Sequence, residues 1–314
     1  MNPLSFLPQP RRTRRQFLRT IGAGVAAAPL ILRGARTEGF AIGLVADAQY
    51  ADIDVKGTRH YRRSVEKLGA AVEHFNGQDL AGCVHLGDLI DREWKSFEEI
   101  GVPLARSRHR WHQLLGNHDF DVLDEQKAGV PGRLGMAWRY GAFELGGVRF
   151  LVLDTNDVST YAHAAGTPER AAAEAELRRL QAAKVRQAKT WNGAVGRAQL
   201  AWFERECAAA RAGRQRVIVL AHHPVYPDND HNVWNAPEIL AAIDRHPNVV
   251  AWINGHNHAG AFGERRGVPY VTMRGMVETG DSTAFATATI LPDRLVIAGH
   301  GREPSRELKL RSPG

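Results

Sequence analysis

The feature that most constrains the fold is a series of short apolar runs, which alternate with helical patterns in the first half of the chain. Strands are predicted at 40–46, 81–86, 110–115, 140–145, 148–154, 216–221, 248–254, 268–273, 285–291 and 294–299. Helices are predicted at about 58–75, 92–106, 168–190, 197–211 and 236–245. The C-terminal part is rich in strands. This mixture favours an α/β (mixed α+β) fold, with two packed mixed β-sheets flanked by helices, over a purely doubly wound sheet.

The basic character of the chain is confined to its N-terminal leader. A formal net charge of +7 suggests by itself an acidic partner such as nucleic acid. However, residues 1–36 contain seven arginines and no acidic residue, and the remaining 34 basic residues balance 34 acidic ones. The body of the chain is therefore neutral, and no nucleic-acid partner is predicted.

The leader, "RRTRRQFLRTIGAGVAAAPLIL", resembles a twin-arginine export signal. The residues that match its core are Arg14, Arg15, Phe17 and Leu18. The apolar run at 21–32 is shorter than the ~20 residues that span a bilayer, so no stable membrane anchor is predicted. The alternative is an amphipathic or membrane-anchoring N-terminal helix. We predict a twin-arginine-type signal peptide at 1–36, contact with the twin-arginine export machinery, and a periplasmic or secreted protein.

Polar clusters follow five of the apolar runs. The clusters are Asp47 with Gln49, Gly87 with Asp88, Gly116 to Asp119, His222 to Pro224, and Gly255 to His258. In open α/β sheets, active sites assemble outside the carboxyl ends of the strands. Side chains two residues apart in an extended segment point to the same side. The pair Asp47 and Gln49, and the pair His256 and His258, can therefore each direct two donors into one site.

The donor types in these clusters indicate a metal site. They are carboxylates, amide oxygens and imidazoles, a set that suits Mn²⁺, Fe or Zn²⁺ better than Ca²⁺ or a soft-ligand metal. No thiolate belongs to the set, because Cys83 and Cys207 form no C-x-x-C pair and are predicted as small core residues. Seven candidate ligands exceed the needs of one tetrahedral ion, whereas two ions that share a carboxylate would use them all.

Taken together, the motifs D-x-Q, G-D-x-x-D, G-N-H-D, H-x-P and G-H-x-H resemble those of calcineurin-like metallophosphoesterases. The resemblance extends over 40–300 and implies a four-layer αββα sandwich, with 38–314 as a single metallophosphoesterase domain. Gln49 stands where most members have histidine. With the stretches "GTRHYRRS" and "WNGAVGRAQLAWFE", it makes the chain similar to the manganese-dependent ADP-ribose/CDP-alcohol diphosphatase branch.

The resemblance also implies a role for each candidate residue. One metal ion takes Asp47, Gln49 and His258, the other takes Asn117, His222 and His256, and Asp88 bridges them. His118 protonates the leaving group, and Asp119 is expected to orient His118. Asp91, in contrast, is expected to tether a loop, and His223 to be structural. The cofactor implied is two divalent metal ions, Mn²⁺ first, with Zn²⁺ or Fe as alternatives.

The implied activity is hydrolysis of a diphosphate bond by metal-activated hydroxide. The expected substrate is a nucleotide-type small molecule, such as ADP-ribose or a CDP-alcohol. Residues just beyond the metal motifs are candidates for substrate contact, namely Tyr226, His231, Trp234 and Arg274. The alternatives are a general metal-dependent phosphodiesterase or phosphomonoesterase, and a non-catalytic exported binding protein with the same fold.

Replacement of Arg14 and Arg15 by lysine is expected to keep the protein out of the periplasm or medium. The reason is that the arginine pair is the defining element of this signal class. Fractionation of a Gram-negative host followed by immunoblotting measures the distribution. Lysine at Arg11 and Arg12, outside the matched core, is the control and is expected to change nothing. Undiminished export of the Arg14/Arg15 variant would contradict the assignment.

Overall fold

A computed structural model describes residues 39–312 of the chain. The signal peptide predicted at 1–36 lies outside the described residues, and so that prediction stays a prediction. Among the helices of residues 39–312, none combines the length and the apolar character that a bilayer span requires.

Within residues 39–312, twelve strands form two six-stranded mixed sheets. The strands are β1 (Phe40–Val45), β2 (Gly82–His85), β3 (Trp111–Gln113), β4 (Gly141–Leu145), β5 (Val148–Val152), β6 (Val217–Leu220), β7 (Val249–Asn254), β8 (Ala261–Arg265), β9 (Val268–Thr272), β10 (Ala284–Ile290), β11 (Arg294–Gly301) and β12 (Arg306–Lys309). The first sheet has the order β12-β11-β10-β1-β2-β3, and the second has the order β4-β5-β6-β7-β9-β8.

Each sheet has a parallel part next to an antiparallel part. In the first sheet, β1, β2 and β3 run parallel, and β10 to β12 are added in antiparallel pairs. In the second, β5, β6, β7 and β9 run parallel, with β4 and β8 antiparallel at the two edges. The parallel strands of each sheet therefore end side by side, and the polar clusters that follow them are neighbours.

The described part of the chain contains six α-helices, four of which pack on the outer faces of the sheets. They are α1 (Ser64–Asn76), α2 (Ser96–Leu104), α3 (Val130–Arg133), α4 (Pro168–Ala182), α5 (Arg197–Ala212) and α6 (Ala236–Arg245). Apolar side chains of α1 and α2 pack on the first sheet, and those of α5 and α6 pack on the second. The order of layers is therefore helix, sheet, sheet, helix, as predicted.

The largest core lies between the two sheets. In β6, Ile218 and Leu220 face this core, while Val217 and Val219 pack against the helices on the other side. Because both faces of such a strand are covered, its sequence is a continuous apolar run without polar alternation. This explains why the central strands could be predicted from the sequence.

The differences from the predicted elements have local causes. Strands β8 and β12 were not predicted, since "AFGER" and "RELK" are edge strands that place alternate side chains in solvent and lack an apolar run. Helix α4 ends at Ala182, before the predicted residue 190, and Lys184 just beyond it has a φ of 55°. A left-handed residue of this kind terminates a helix.

The two cysteines lie in different core layers. Cys83 packs between the first sheet and its helices, and Cys207 packs between the second sheet and α5. Both are free and buried, as predicted for small core residues. Burial raises the pKa of the Cys83 thiol to about 12, so it stays protonated near neutral pH.

Replacement of Phe150 by alanine is expected to lower the free energy of unfolding by about 3–5 kcal/mol. This ring is fully buried between the sheets, stacks on Phe143 at a centroid distance of 5.0 Å and meets Phe40 edge-on. Phe262, which is 46% exposed on the edge strand β8, is the matched control, and its alanine variant is expected to lose less than about 0.5 kcal/mol. Urea denaturation measures both. Equal losses would contradict this account of the core.

Candidate active site

The seven residues predicted as metal ligands converge at the carboxyl ends of strands from both sheets. Three clusters follow β1, β2 and β3 of the first sheet, and two follow β6 and β7 of the second. Ligand atoms of Asp47, Asp88 and His222 lie within 4.8 Å of one another, and all three side chains are buried. Residues distant in the sequence thus form one compact group of potential ligands.

One half of this group contains Asp47, Gln49 and His258. The Gln49 amide nitrogen donates to Asp88 Oδ2 at 2.9 Å and lies 3.1 Å from His258 Nε2. His258 Nε2 lies 3.7 Å from Asp47 Oδ1. The other amide atom, Gln49 Oε1, is buried without a hydrogen-bond partner. An unpartnered buried oxygen among these side chains is an atom that a bound cation would satisfy.

The other half contains Asn117, His222 and His256. His222 Nε2 lies 3.1 Å from Asn117 Oδ1, 3.2 Å from His256 Nδ1 and 3.3 Å from Asp88 Oδ2. Asp88 therefore contacts both halves of the group, Gln49 on one side and His222 on the other. This is the position predicted for the carboxylate that bridges two ions.

The backbone of this site is held in an unfavourable conformation. Asp47, Gln49, Asp88 and His256 have φ values of 53°, 44°, 58° and 69°, in the left-handed region that side chains with a Cβ rarely adopt. Each such residue costs on the order of 1–2 kcal/mol, and outliers of this kind cluster at functional sites. The strained residues are four of the seven predicted ligands.

The carboxylate of Asp47 joins the two sheets at the site. Both of its oxygens accept a hydrogen bond from the backbone N–H of His256, at 3.0 and 3.1 Å. The backbone carbonyl of Asp47 accepts from the N–H of Val277 at 3.0 Å. The loops after β1, after β7 and after β9 are thereby fixed to one residue.

Asp119 does not orient His118, contrary to the prediction. Its buried carboxylate accepts four backbone N–H groups, those of Gly116, Asp88, Leu89 and Ile90. It therefore holds the loop after β3 against the loop after β2. The two loops are so close that a Cβ at Gly116 would lie 2.1 Å from Asp88 Oδ1. The sequence neighbour of His118 thus supports the backbone and not the imidazole.

The residue beside the His118 ring is Asp91. Nδ1 of His118 lies 3.3 Å from both the backbone oxygen and Oδ1 of Asp91. The other oxygen of Asp91 accepts from Arg92 Nε at 2.8 Å. The hydrogen-bond partner of the His118 ring is therefore the backbone oxygen of Asp91, with the Asp91 carboxylate beside it, and Asp91 takes the position next to the ring that was expected of Asp119.

Each of the three candidate histidine ligands has its second ring nitrogen fixed by an acceptor. His222 Nδ1 lies 2.9 Å from the carbonyl of Leu86, His256 Nε2 lies 2.9 Å from Asn192 Oδ1, and His258 Nδ1 lies 2.7 Å from Glu278 Oε1. Because these acceptors take a ring N–H, they leave His222 Nε2, His256 Nδ1 and His258 Nε2 with lone pairs that face the site. This is the usual arrangement of metal-binding histidines.

Asn192 and Glu278 were missed by the sequence analysis as supporting residues. Asn192 lies in the stretch "WNGAVGRAQLAWFE" and Glu278 lies in "VETGD", but neither residue follows a strand directly. The segment of Glu278 is further held by the buried ammonium of Lys67, which donates to the carbonyls of Met276, Val277 and Glu278. Only the folded chain brings these groups to the histidines.

His223 has the structural position that was predicted for it. Its Nδ1 lies 2.7 Å from Thr155 Oγ1, and its Nε2 lies 3.2 Å from the carbonyl of Trp191. Although its ring is close to those of His222 and His256, both of its nitrogens are occupied by protein groups. Burial keeps the pKa of His223 well below its usual range, so the ring is neutral.

The electrostatics of the group favour a cation between its members. Burial by itself raises the pKa of Asp88, but His222 and His118 lower it well below the usual range. Burial by itself lowers the pKa of His222, but Asp88 raises it, to about 9. Without a metal, a proton on His222 thus lies between the lone pair of His256 and the acceptor oxygens around it. A divalent ion bound in place of that proton would interact with the same lone pair and oxygens, and the residues present fit such an ion.

A cavity of about 360 Å³ opens onto this group. It is lined by Gln49, Arg59, Asp88, Asn117, His118, Trp191, His231, His256 and His258. Its volume is in the range of small-molecule sites, for which ≈ 300–1,000 Å³ is typical. Of the four predicted substrate contacts, only His231 lines it. Arg59 and Trp191 were not singled out in the sequence, although both lie in stretches that carry the resemblance.

The other three predicted substrate contacts have structural positions. Trp234 is buried and its indole N–H donates to the carbonyl of Lys189. The Tyr226 ring packs against Tyr270, at a centroid distance of 5.3 Å. The Arg274 guanidinium donates to the carbonyl of Arg302, and the backbone N–H of Arg274 donates to Glu303 Oε2. Proximity in sequence to a metal motif did not predict contact with the cavity, because the chain turns away immediately after each motif.

Comparison with known proteins gives results consistent with this geometry. A family model described as calcineurin-like phosphoesterase matches residues 42–260. Several similar proteins are named manganese-dependent ADP-ribose/CDP-alcohol diphosphatase. That of Bos taurus is 30% identical over 87% of this chain and 94% of its own length, and that of Homo sapiens is 29% identical over 85% and 92%. The similarity therefore extends well beyond the metal motifs.

Solved structures share the fold. A dimetal phosphatase from Danio rerio is 25% identical, with a TM-score of 0.78 over 87% of this chain and 99% of that one. GAP50, described as the anchor in the inner membrane complex of Plasmodium, is 12% identical with a TM-score of 0.59 and shows the fold alone. The predicted four-layer arrangement of two mixed sheets and flanking helices is thus confirmed.

Replacement of Glu278 by alanine is expected to lower Mn²⁺ affinity about 10–100-fold, because His258 loses the acceptor that fixes its tautomer and ring orientation. Calorimetric titration of metal-stripped protein measures the affinity, and circular dichroism checks the fold. Glu66, exposed on α1, is the matched control, and its alanine variant is expected to bind metal as the unchanged protein does. Unaltered affinity of the Glu278 variant would exclude this role.

Proposed function

We propose a substrate class and a division of roles on the premise that the chain belongs to the calcineurin-like phosphoesterase family. The protein is a metal-dependent hydrolase. Its proposed reaction is cleavage of the diphosphate bond in nucleoside diphosphates that are linked to a sugar or an alcohol, such as ADP-ribose and CDP-alcohols. The observation that carries this proposal is the similarity to proteins named as diphosphatases, which covers 85–87% of this chain.

The proposed cofactor is two divalent ions, with Mn²⁺ as the metal that the names of the similar proteins suggest. Asp47, Gln49 and His258 would hold one ion, and Asn117, His222 and His256 the other, with Asp88 shared. Ions bound there supply polarisation of phosphoryl oxygens and neutralisation of the charge that develops during in-line displacement.

His118 is the proposed general acid. Its backbone N–H donates to Asp88 Oδ1 at 2.8 Å, which fixes the residue beside the metal ligands. Its Nδ1 faces Asp91, so Nε2 is the ring atom left for the substrate. The side chain lines the cavity, where it can give a proton to the departing phosphate oxygen. Asp91 acts through His118 and is a positioning residue.

Arg59 is the arginine that lines the cavity, and it is the proposed partner of the second phosphate. Its Nε lies 3.8 Å from Glu278 Oε1, a distance that leaves donors free for another anion. A substrate with one phosphate would use the metal ligands alone. The presence of a guanidinium on the rim therefore favours a diphosphate over the alternative of a simple monoester or diester.

A non-catalytic binding protein with this fold is expected to lack some of the residues that catalysis requires. A shared fold does not by itself establish catalysis. Here the seven ligand candidates, the supporting acceptors and His118 are all in place. We also propose that the protein works in the periplasm or outside the cell, on the strength of the leader at 1–36.

Purified protein supplied with Mn²⁺ is expected to hydrolyse ADP-ribose and CDP-choline faster than a simple phosphodiester or phosphomonoester. The His118→Ala variant is expected to lose about 10²–10⁴ in kcat with its metal content unchanged, since only the acid is removed. Coupled phosphate release measures turnover, and elemental analysis measures metal. The control is His109→Ala, at the amino end of β3 and away from the cavity. Turnover of the monoester alone would overturn the proposed substrate class.

A further inference from the structure

The indole of Trp191 is exposed where the cavity meets solvent. We propose that it is the platform on which the base of a nucleotide stacks, so that the site recognises its substrate by a flat aromatic ring as well as by phosphate. This inference rests on the proposed function and adds the group that binds the nucleoside end.

Exposure of this side chain is unusual for its type. Trp191 is 44% exposed and Trp138 is 40% exposed, whereas Trp252 and Trp234 are buried. Among the large apolar side chains left exposed in residues 39–312, Trp191 lines the cavity that holds the metal ligands, together with Asp88, His118 and His256. A large aromatic surface kept in water beside a polar site is well suited to a ligand that covers it.

Hydrogen bonds fix the loop that carries Trp191 to the proposed metal site. The backbone oxygen of Trp191 faces His223 Nε2 at 3.2 Å. The next residue, Asn192, is buried, and its amide donates to the carbonyls of Gln187 and Asp230 at 2.9 and 2.8 Å. Its oxygen contacts the ring of His256, as described above. One asparagine thus holds the loop that carries Trp191 at a fixed distance from a proposed ligand.

The same asparagine orders the neighbouring wall of the cavity. Asp230, whose carbonyl it binds, directly precedes His231, and the His231 ring lies 5.5 Å from that of His256. Trp191 and His231 therefore stand on the His256 side of the cleft. Arg59 stands on the His258 side, through Glu278, and His118 stands next to Asn117. Trp191, the Arg59 guanidinium and His118 thus lie on three different sides of the cavity.

This arrangement matches the parts of a nucleotide. The electron-rich face of an indole stacks on purines and pyrimidines alike, and it does so without hydrogen-bond readout of the base. The expected ligand is a nucleoside 5′-phosphate group with either kind of base, as ADP-ribose and CDP-alcohols both contain. A sugar phosphate without a base would gain nothing from Trp191.

Calorimetric titration of the Mn²⁺-loaded protein with AMP and with ribose 5-phosphate separates stacking from phosphate binding. The unchanged protein is expected to bind AMP more tightly than ribose 5-phosphate. In Trp191→Ala, AMP affinity is expected to fall about five- to hundredfold, the range found for removal of a base-stacking aromatic ring. Ribose 5-phosphate affinity and manganese content stay unchanged, and Trp191→Phe retains most of the preference for AMP.

Trp138, which is 40% exposed outside the cavity, provides the matched control, and Trp138→Ala is expected to bind both compounds normally. Three results would each contradict the proposed stacking role of Trp191. They are an equal loss of affinity for AMP and ribose 5-phosphate in Trp191→Ala, no preference for AMP in the unchanged protein, and no AMP binding at all. Binding is independent of turnover. A protein that prefers AMP through Trp191 yet leaves ADP-ribose intact would therefore contradict the proposed reaction and not this inference.

Discussion

The hydrogen bonds from the His256 amide to the carboxylate of Asp47 are the contact on which the site depends. They connect the end of β1 in one sheet to the end of β7 in the other. Packing between the sheets is apolar and has little directionality, so it cannot by itself set the relative position of two loops to a fraction of an ångström. A buried carboxylate whose two oxygens share one backbone N–H can do so. The same residue is then available as a metal ligand.

The site stores conformational strain and electrostatic repulsion that the rest of the fold must offset. Four predicted ligands have left-handed backbone, and once His222 has lost its proton the lone pairs of His222 Nε2 and His256 Nδ1 face each other 3.2 Å apart. Asp119 contributes to the support by binding four backbone N–H groups around Asp88. Strain of this kind persists only where surrounding contacts determine the conformation. A bound cation would relieve the repulsion, which couples metal binding to local stability.

The residues that support the candidate metal ligands also hold residues that line the cavity. Asn192 fixes the tautomer of His256 and also the loop of Trp191, and Glu278 contacts both His258 and Arg59. The shape of the cleft therefore follows from the orientation of the metal ligands. Because proteins of this fold carry different roles, specificity here must be sought in these rim residues and their supports, not in the sheets.

The sequence by itself determined ten of the twelve strands in residues 39–312 and the two packed mixed sheets flanked by helices, and with the family resemblance it also gave the four-layer order and the seven candidate ligands. It could do so because buried strands are continuous apolar runs, and because polar residues at strand ends are local patterns. It did not reveal the edge strands β8 and β12, the pairing of Asp91 with His118, or the supporting roles of Asn192 and Glu278. Three of the four residues predicted to contact substrate, Tyr226, Trp234 and Arg274, do not line the cavity. Only the tertiary structure decided these, because the contacts join residues 20, 27 or 64 positions apart and depend on where each loop turns after its strand.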